Sequence, residues 1–127
     1  MDKKILVDTD IIIKSFRGNT SVYKELISIK DKFAISVVTA LELLNGANNV
    51  KQLGSTKKEL KAYTIIHFDN NISQLSLQLL SKYSLNKKPQ LPDLFIAATA
   101  LRFNLQLYTD NKKHYNFIDG LRFYKER

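Results

Sequence analysis

The sequence predicts an α/β fold, a three-layer sandwich in which a central, mostly parallel sheet is flanked by helices. Three observations predict it. Short apolar runs alternate with helix-patterned segments along the chain, as right-handed β-α-β units require. The first run, in residues 3–8 (KKILVD), is apolar at consecutive positions, as a strand covered on both faces must be. Carboxylates follow such runs, and open α/β sheets place ligands beyond the carboxyl ends of strands, where the strand order reverses.

The elements follow in order. After the strand at 3–8, residues 23–29 read as a helix with Tyr23, Leu26 and Ile27 on one face. FAIS at 33–36 is a second strand, and VVTALELLN at 37–45 is a helix that Gly46 terminates. Residues 48–62 are polar and lysine-rich, an exposed helix or a helix pair broken near Gly54. TIIHF at 64–68 is a third strand. Residues 72–83 form an amphipathic helix with Ile72, Leu75, Leu79 and Leu80 as its apolar face. NKKPQLP at 86–92 is a loop. Residues 93–103 form a helix whose Ala97, Ala98 and Ala100 allow close packing. LQLYT at 105–109 and LRFY at 121–124 supply the last two strands. No repeat or linker interrupts the pattern, so one domain over 1–127 is expected.

Composition narrows the function. With 127 residues and 44% hydrophobic content, the chain can bury one core. It has no cysteine, which excludes disulfides, a thiolate metal site and a cysteine nucleophile. No apolar run reaches the roughly 20 residues that span a bilayer, and the start lacks a signal peptide's long apolar region. A cytoplasmic protein without a membrane partner is expected. Lysine and arginine number 20 against 12 acids, a net charge of +8. That favours a polyanionic partner, nucleic acid first, although a solvated lysine surface gives the same total.

The acids say more than the total. Asp8 and Asp10 follow the first strand, and Asp110 follows LQLYT. Glu42 lies in an otherwise apolar helix, and Asp93 follows Pro92 at a helix start. Each has an ordinary structural explanation. Asp8 and Asp10 suit a helix cap. Thr39-x-x-Glu42 has capping-box spacing. Asp93 complements a helix dipole, and Asp110-Asn111 suits a turn. Their joint placement is the signal. Crowded carboxylates repel and desolvate badly unless a cation joins them, and a hard divalent ion, Mg²⁺ or Mn²⁺, prefers such oxygen donors. His67 reads as structural or surface, and His114 has no histidine partner, so neither enters the catalytic set. The serines lack nucleophile-elbow spacing.

Four stretches, ILVDTDIII, SVVTALELLNG, LPDLFIAATAL and YTDNKKHYNFIDGL, together resemble the PIN-domain ribonucleases, most closely the VapC-type toxins of toxin–antitoxin pairs. They stand in the family's order and cover nearly the whole chain. LELLNG and PDLFIAATA are the most specific. The resemblance implies that Asp8 is the first metal-binding acid, with Thr9 its hydroxyl neighbour, Glu42 the second acid and Asp93 the third. In the fourth region Thr109 matches the family's threonine. Asn111 takes the place of its aspartate or asparagine, and Asp110 precedes it, so either is placed to face the metal. Asp10 stands where the family often has asparagine. The catalytic set is thus Asp8, Glu42, Asp93 and Asp110, with Asp8, Asp93 and Asp110 as metal ligands.

The resemblance further implies a Mg²⁺- or Mn²⁺-dependent endoribonuclease, usually a homodimer, held inactive by a small cognate antitoxin. Carboxylate-held metal suits phosphodiester hydrolysis, which needs an activated water and charge neutralisation on the leaving oxygen. Lys87, Lys88, Lys112 and Lys113 are placed to guide the RNA backbone. A rival reading takes VDTD as the DxD signature of haloacid-dehalogenase-type phosphatases, with Asp8 a covalent nucleophile and Asp10 a general acid/base. The chain is short for that group and lacks a late paired acidic motif. A third reading is a non-catalytic RNA-binding module.

Overall fold

The structure, a computed structural model, describes residues 1–125. Five strands form one sheet: β1 (Ile5–Val7), β2 (Phe33–Ser36), β3 (Ile65–Ile66), β4 (Gln106–Tyr108) and β5 (Arg122–Phe123). Six α-helices accompany them: α1 (Thr9–Phe16), α2 (Thr20–Ser28), α3 (Val37–Asn45), α4 (Val50–Leu60), α5 (Asn70–Tyr83) and α6 (Leu91–Arg102). A 3₁₀ turn covers Lys112–His114. The strand order is β3-β2-β1-β4-β5, and every pairing is parallel. The predicted architecture is the one observed.

The alternation of side chains across β1 builds two cores. Ile5 and Val7 face one layer, where they join Ile11 and Ile12 of α1 and Val22 and Leu26 of α2. Leu6 faces the other, with Ile72 and Leu79 of α5 and Leu94, Ala97 and Ala98 of α6. The three alanines of α6 are wholly buried, so small side chains let it lie close against its neighbours. A larger residue there would overpack, costing about 1–3 kcal/mol.

Several element bounds differ from expectation. Strand β2 covers the expected 33–36, whereas β1, β3, β4 and β5 are shorter than their apolar runs, because ladder pairing stops before the sequence pattern does. Helix α1 had no assigned bounds. It starts one residue after β1, with Asp8 extended as its N-cap and Ile11 and Ile12 buried beneath it. Helix α2 starts earlier than expected, at Thr20 behind the Asn19 cap. It buries Val22 and Leu26 and leaves Tyr23 55% and Ile27 51% exposed. Gly54 does not break α4. The position is open to solvent with no neighbouring atom close by, and one exposed helical glycine costs only about 1 kcal/mol. Helix α6 starts at Leu91 rather than Asp93. Pro92 fits the first turn, where its missing N–H was never going to be bonded.

The sheet order places the site. From central β1 the chain moves outward to β2 and β3, then crosses back through α5 and α6 to β4 on the other side of β1. The reversal leaves a crevice at the carboxyl ends of β1 and β4.

Candidate active site

Asp8 lies at the mouth of that crevice, 5% exposed. Its backbone N–H donates to Tyr108 O at 2.9 Å, which fixes the end of β1 against β4. Three donors converge on its carboxylate. Thr9 N–H reaches Oδ1 at 2.8 Å, and Thr109 Oγ1 reaches Oδ2 at 2.7 Å. The Tyr115 hydroxyl lies 3.1 Å from the same Oδ2. Asp8 therefore caps α1 from the carboxyl end of β1.

Asp93 arrives from the other side. As the third residue of α6 it is half-buried, and its bonds go outward rather than to the helix's own N–H groups. Its Oδ1 lies 3.1 Å from the same Tyr115 hydroxyl, and its Oδ2 lies 3.3 Å from His114 Nδ1. Asp8 and Asp93 thus flank one fully buried phenol. That phenol has a single proton and donates to one carboxylate at a time. Sequence reasoning missed Tyr115. Its one signal was an aromatic residue six positions after Thr109, in a run already suspected.

Glu42 is connected through Thr9. Thr9 Oγ1 donates to Glu42 Oε1 at 2.7 Å and lies 2.9 Å from Thr39 Oγ1. The capping-box reading of Thr39 and Glu42 is overturned, because Ser36 is the N-cap of α3 and its side chain accepts from Val38 N–H. Glu42 is exposed, not enclosed by the apolar residues around it in the chain. It lines an open groove of about 800 Å³ together with Phe16, Tyr23, Gln52 and Glu59.

The fourth region is arranged differently from the expected ligand set. The Asp110 carboxylate pairs with Lys14. Its backbone N–H instead donates to Asp10 Oδ2 at 3.0 Å, as does Asn111 Nδ2 at 3.0 Å. Asn111 N–H donates to Thr109 Oγ1, which holds the hydroxyl that bonds Asp8. Asp110 and Asn111 both serve Asp10, and Asp10 is the acid of this region that feels Asp8.

The electrostatics follow from crowding. Burial pushes the Asp8 carboxyl above the usual carboxylate range despite its three donors, and the Asp93 charge adds to the rise. Burial, followed by the charge on Asp8, pushes Asp10 up to about 6. The Tyr115 phenol is pushed far up by burial and by the two acids, so it stays protonated. Lys87, Lys88, Lys112 and Lys113 are all exposed. Lys87 lies over the Phe117 ring and Lys112 over the Phe123 ring, each at 5.9 Å.

Among the described residues, no three histidine or acidic side chains close on one point as a finished metal cage. The Tyr115 hydroxyl separates Asp8 from Asp93, and Thr9 holds Glu42 at the rim. The donor chemistry nevertheless fits a hard cation. The acids offer only oxygens, and among the described residues no lysine or arginine pairs with Asp8 or Asp93.

Comparison with known proteins shows the family. The PIN domain family matches residues 5–118. Ribonuclease VapC1 of Methanocaldococcus jannaschii is 32% identical over 97% of this chain and 88% of its own length. A chain of a toxin–antitoxin complex from Klebsiella pneumoniae superposes with a TM-score of 0.78 at 33% identity, covering 93% of this chain and 95% of that one. DNA-bound VapBC from Salmonella typhimurium shares the fold, with a TM-score of 0.87 at 20% identity over 96% and 97% of the two chains. PIN-domain nucleases of the VapC type generally depend on a divalent metal. This chain belongs to the PIN-domain family, in its VapC-type ribonuclease branch.

Proposed function

We propose that this chain is a Mg²⁺- or Mn²⁺-dependent endoribonuclease, the toxin of a toxin–antitoxin pair, acting in the cytoplasm. The observation that carries the reading is the convergence of Asp8 and Asp93 on one phenol at the sheet's switch point, where no lysine or arginine among the described residues pairs with either acid. Asp8 and Asp93 would hold the metal, with Asp10 beside them. When bound, the metal supplies Lewis acidity and charge neutralisation at the scissile phosphate.

The chain's own residues divide the remaining work. Thr109 and the Thr9 N–H fix the Asp8 carboxylate in one orientation. Asp110 and Asn111 fix Asp10 through N–H donors. Glu42, positioned by Thr9 and open to the groove, orients the attacking water and takes its proton. The exposed lysines at 87, 88, 112 and 113 draw the RNA backbone toward an otherwise repulsive acidic site. A small antitoxin seats in the groove that Glu42 lines, and a basic side chain from it neutralises the acids in place of the cation. The toxin works as a homodimer.

The test is cleavage of end-labelled RNA by the purified chain. Cleavage with Mn²⁺, its loss in EDTA and products bearing 5′-phosphates are expected, because this route does not use the ribose 2′-OH. Cleavage that persists in EDTA and leaves cyclic phosphates would overturn the metal reading. A trapped aspartyl-phosphate with turnover of p-nitrophenyl phosphate would restore the phosphatase alternative.

A further inference from the structure

Tyr115 is wholly buried, yet its hydroxyl is spent on two acids and on no backbone group. It reaches Asp8 Oδ2 and Asp93 Oδ1 at the same 3.1 Å, and these acids come from segments 85 positions apart in the chain (93 − 8). A phenol placed only to fill the core would need one acceptor, or would be a phenylalanine. Placed here, its single proton serves both carboxylates by turns, and among the described residues it is the one side chain that bridges them.

We propose that the Tyr115 hydroxyl is a built-in competitor for the cation. It stands between Asp8 and Asp93 as their shared donor, and it must give up at least one of them before a metal can take both. Tyr115 is then a positioning residue that sets the metal concentration at which the site loads. The inference rests on the metal-dependent reading above and adds to it a threshold carried by this chain.

Two effects compete in Tyr115→Phe. Losing the shared donor leaves Asp8 with only Thr9 N–H and Thr109, and Asp93 with only His114, in the metal-free protein, which raises its free energy. The loaded protein has the cation between those charges and loses less. The difference appears as tighter metal binding. A phenol that served instead to preorganise the ligands would give the opposite sign.

The test is isothermal titration of Mn²⁺ into the wild type and Tyr115→Phe, beside melting curves in EDTA and in Mn²⁺. The expected result is a Tm lowered by several degrees in EDTA, a larger rise on adding Mn²⁺, and a Kd about threefold or more tighter. Wild-type binding with an unchanged or weaker Kd in Tyr115→Phe overturns the competitor role alone. Failure of the wild type to bind Mn²⁺ overturns the metal reading together with it. Should Tyr115→Phe not fold, the wild type still decides. Its tyrosine Raman doublet, which reads phenol hydrogen bonding, shifts with Mg²⁺ if the bridge is broken and stays fixed if it is not.

Discussion

Thr9 Oγ1 donates to Glu42 Oε1 at 2.7 Å, and so ties the first residue of α1 to an exposed acid on α3. Thr9 is also the residue whose N–H binds Asp8. One residue thus positions both the acid expected to hold metal and the acid expected to orient water. Removing the hydroxyl should separate those tasks. Thr9→Val keeps the backbone donor and the side-chain shape. Cleavage should fall about 10- to 100-fold, as expected when a positioning contact is lost, with Mn²⁺ affinity near wild type. Thr9→Ser should restore most of the activity. Equal loss of metal affinity and rate would show that Thr9 acts on Asp8 alone.

The Asp110–Lys14 pair leads to a second expectation. A surface ion pair of this exposure contributes about 0–1 kcal/mol. Asp110→Asn leaves the backbone N–H that holds Asp10, so cleavage should stay within about threefold of wild type. Asp10→Asn should cost far more. A Mn²⁺ cleavage assay of the two variants side by side checks the order, and the reverse order would return Asp110 to the ligand set.

The site's legibility in the sequence varied with the kind of contact involved. Asp8 and the switch-point location were readable, because a buried parallel strand ending in an acid has few ordinary uses. The side chain of Asp110 was not, because its direction depends on Lys14, 96 residues away in sequence. Tyr115 looked like one more aromatic, and only folding shows that its hydroxyl meets two acids. The same limit applies to the fold. Strand identity and order along the chain followed from apolar runs. Helix α1 did not, because its three isoleucines continue the apolar character of β1 and hide the boundary at Asp8. The face of α2 was misplaced because Tyr23 and Ile27 are apolar but exposed. Only Val22 and Leu26 reach the layer of α1.

Acid titration supplies a third expectation. Asp10 is raised from 3.8 to about 6, and Asp8 is raised in the same direction. Between about pH 4 and 6 the folded protein therefore binds more protons than the unfolded chain. Stability in EDTA is fully present below the unfolded value and is lost as pH rises through the folded one. Asp10 accounts for about 1–2 kcal/mol of this, once solvent screening of a partly exposed group is allowed for. Denaturant melts from pH 4 to 7 should show the wild type losing stability relative to Asp10→Asn. An unchanged difference across that range would mean Asp10 is already compensated. Saturating Mn²⁺ should flatten the slope, since a metal favours the ionised carboxylates.

Asp93 offers the most direct test of the metal site. Its carboxylate makes no helix cap, so replacing one oxygen with an amide should cost the fold little. The same change removes one negative charge from a hard-cation site and relieves repulsion with Asp8 in the metal-free protein. The measurement is the RNA cleavage rate in Mn²⁺ beside a melting curve in EDTA, for wild type and Asp93→Asn. Cleavage should fall by 100-fold or more, on the order expected for loss of a catalytic group, while the melting temperature holds or rises. Near-wild-type cleavage by Asp93→Asn would contradict the account and remove Asp93 from the site.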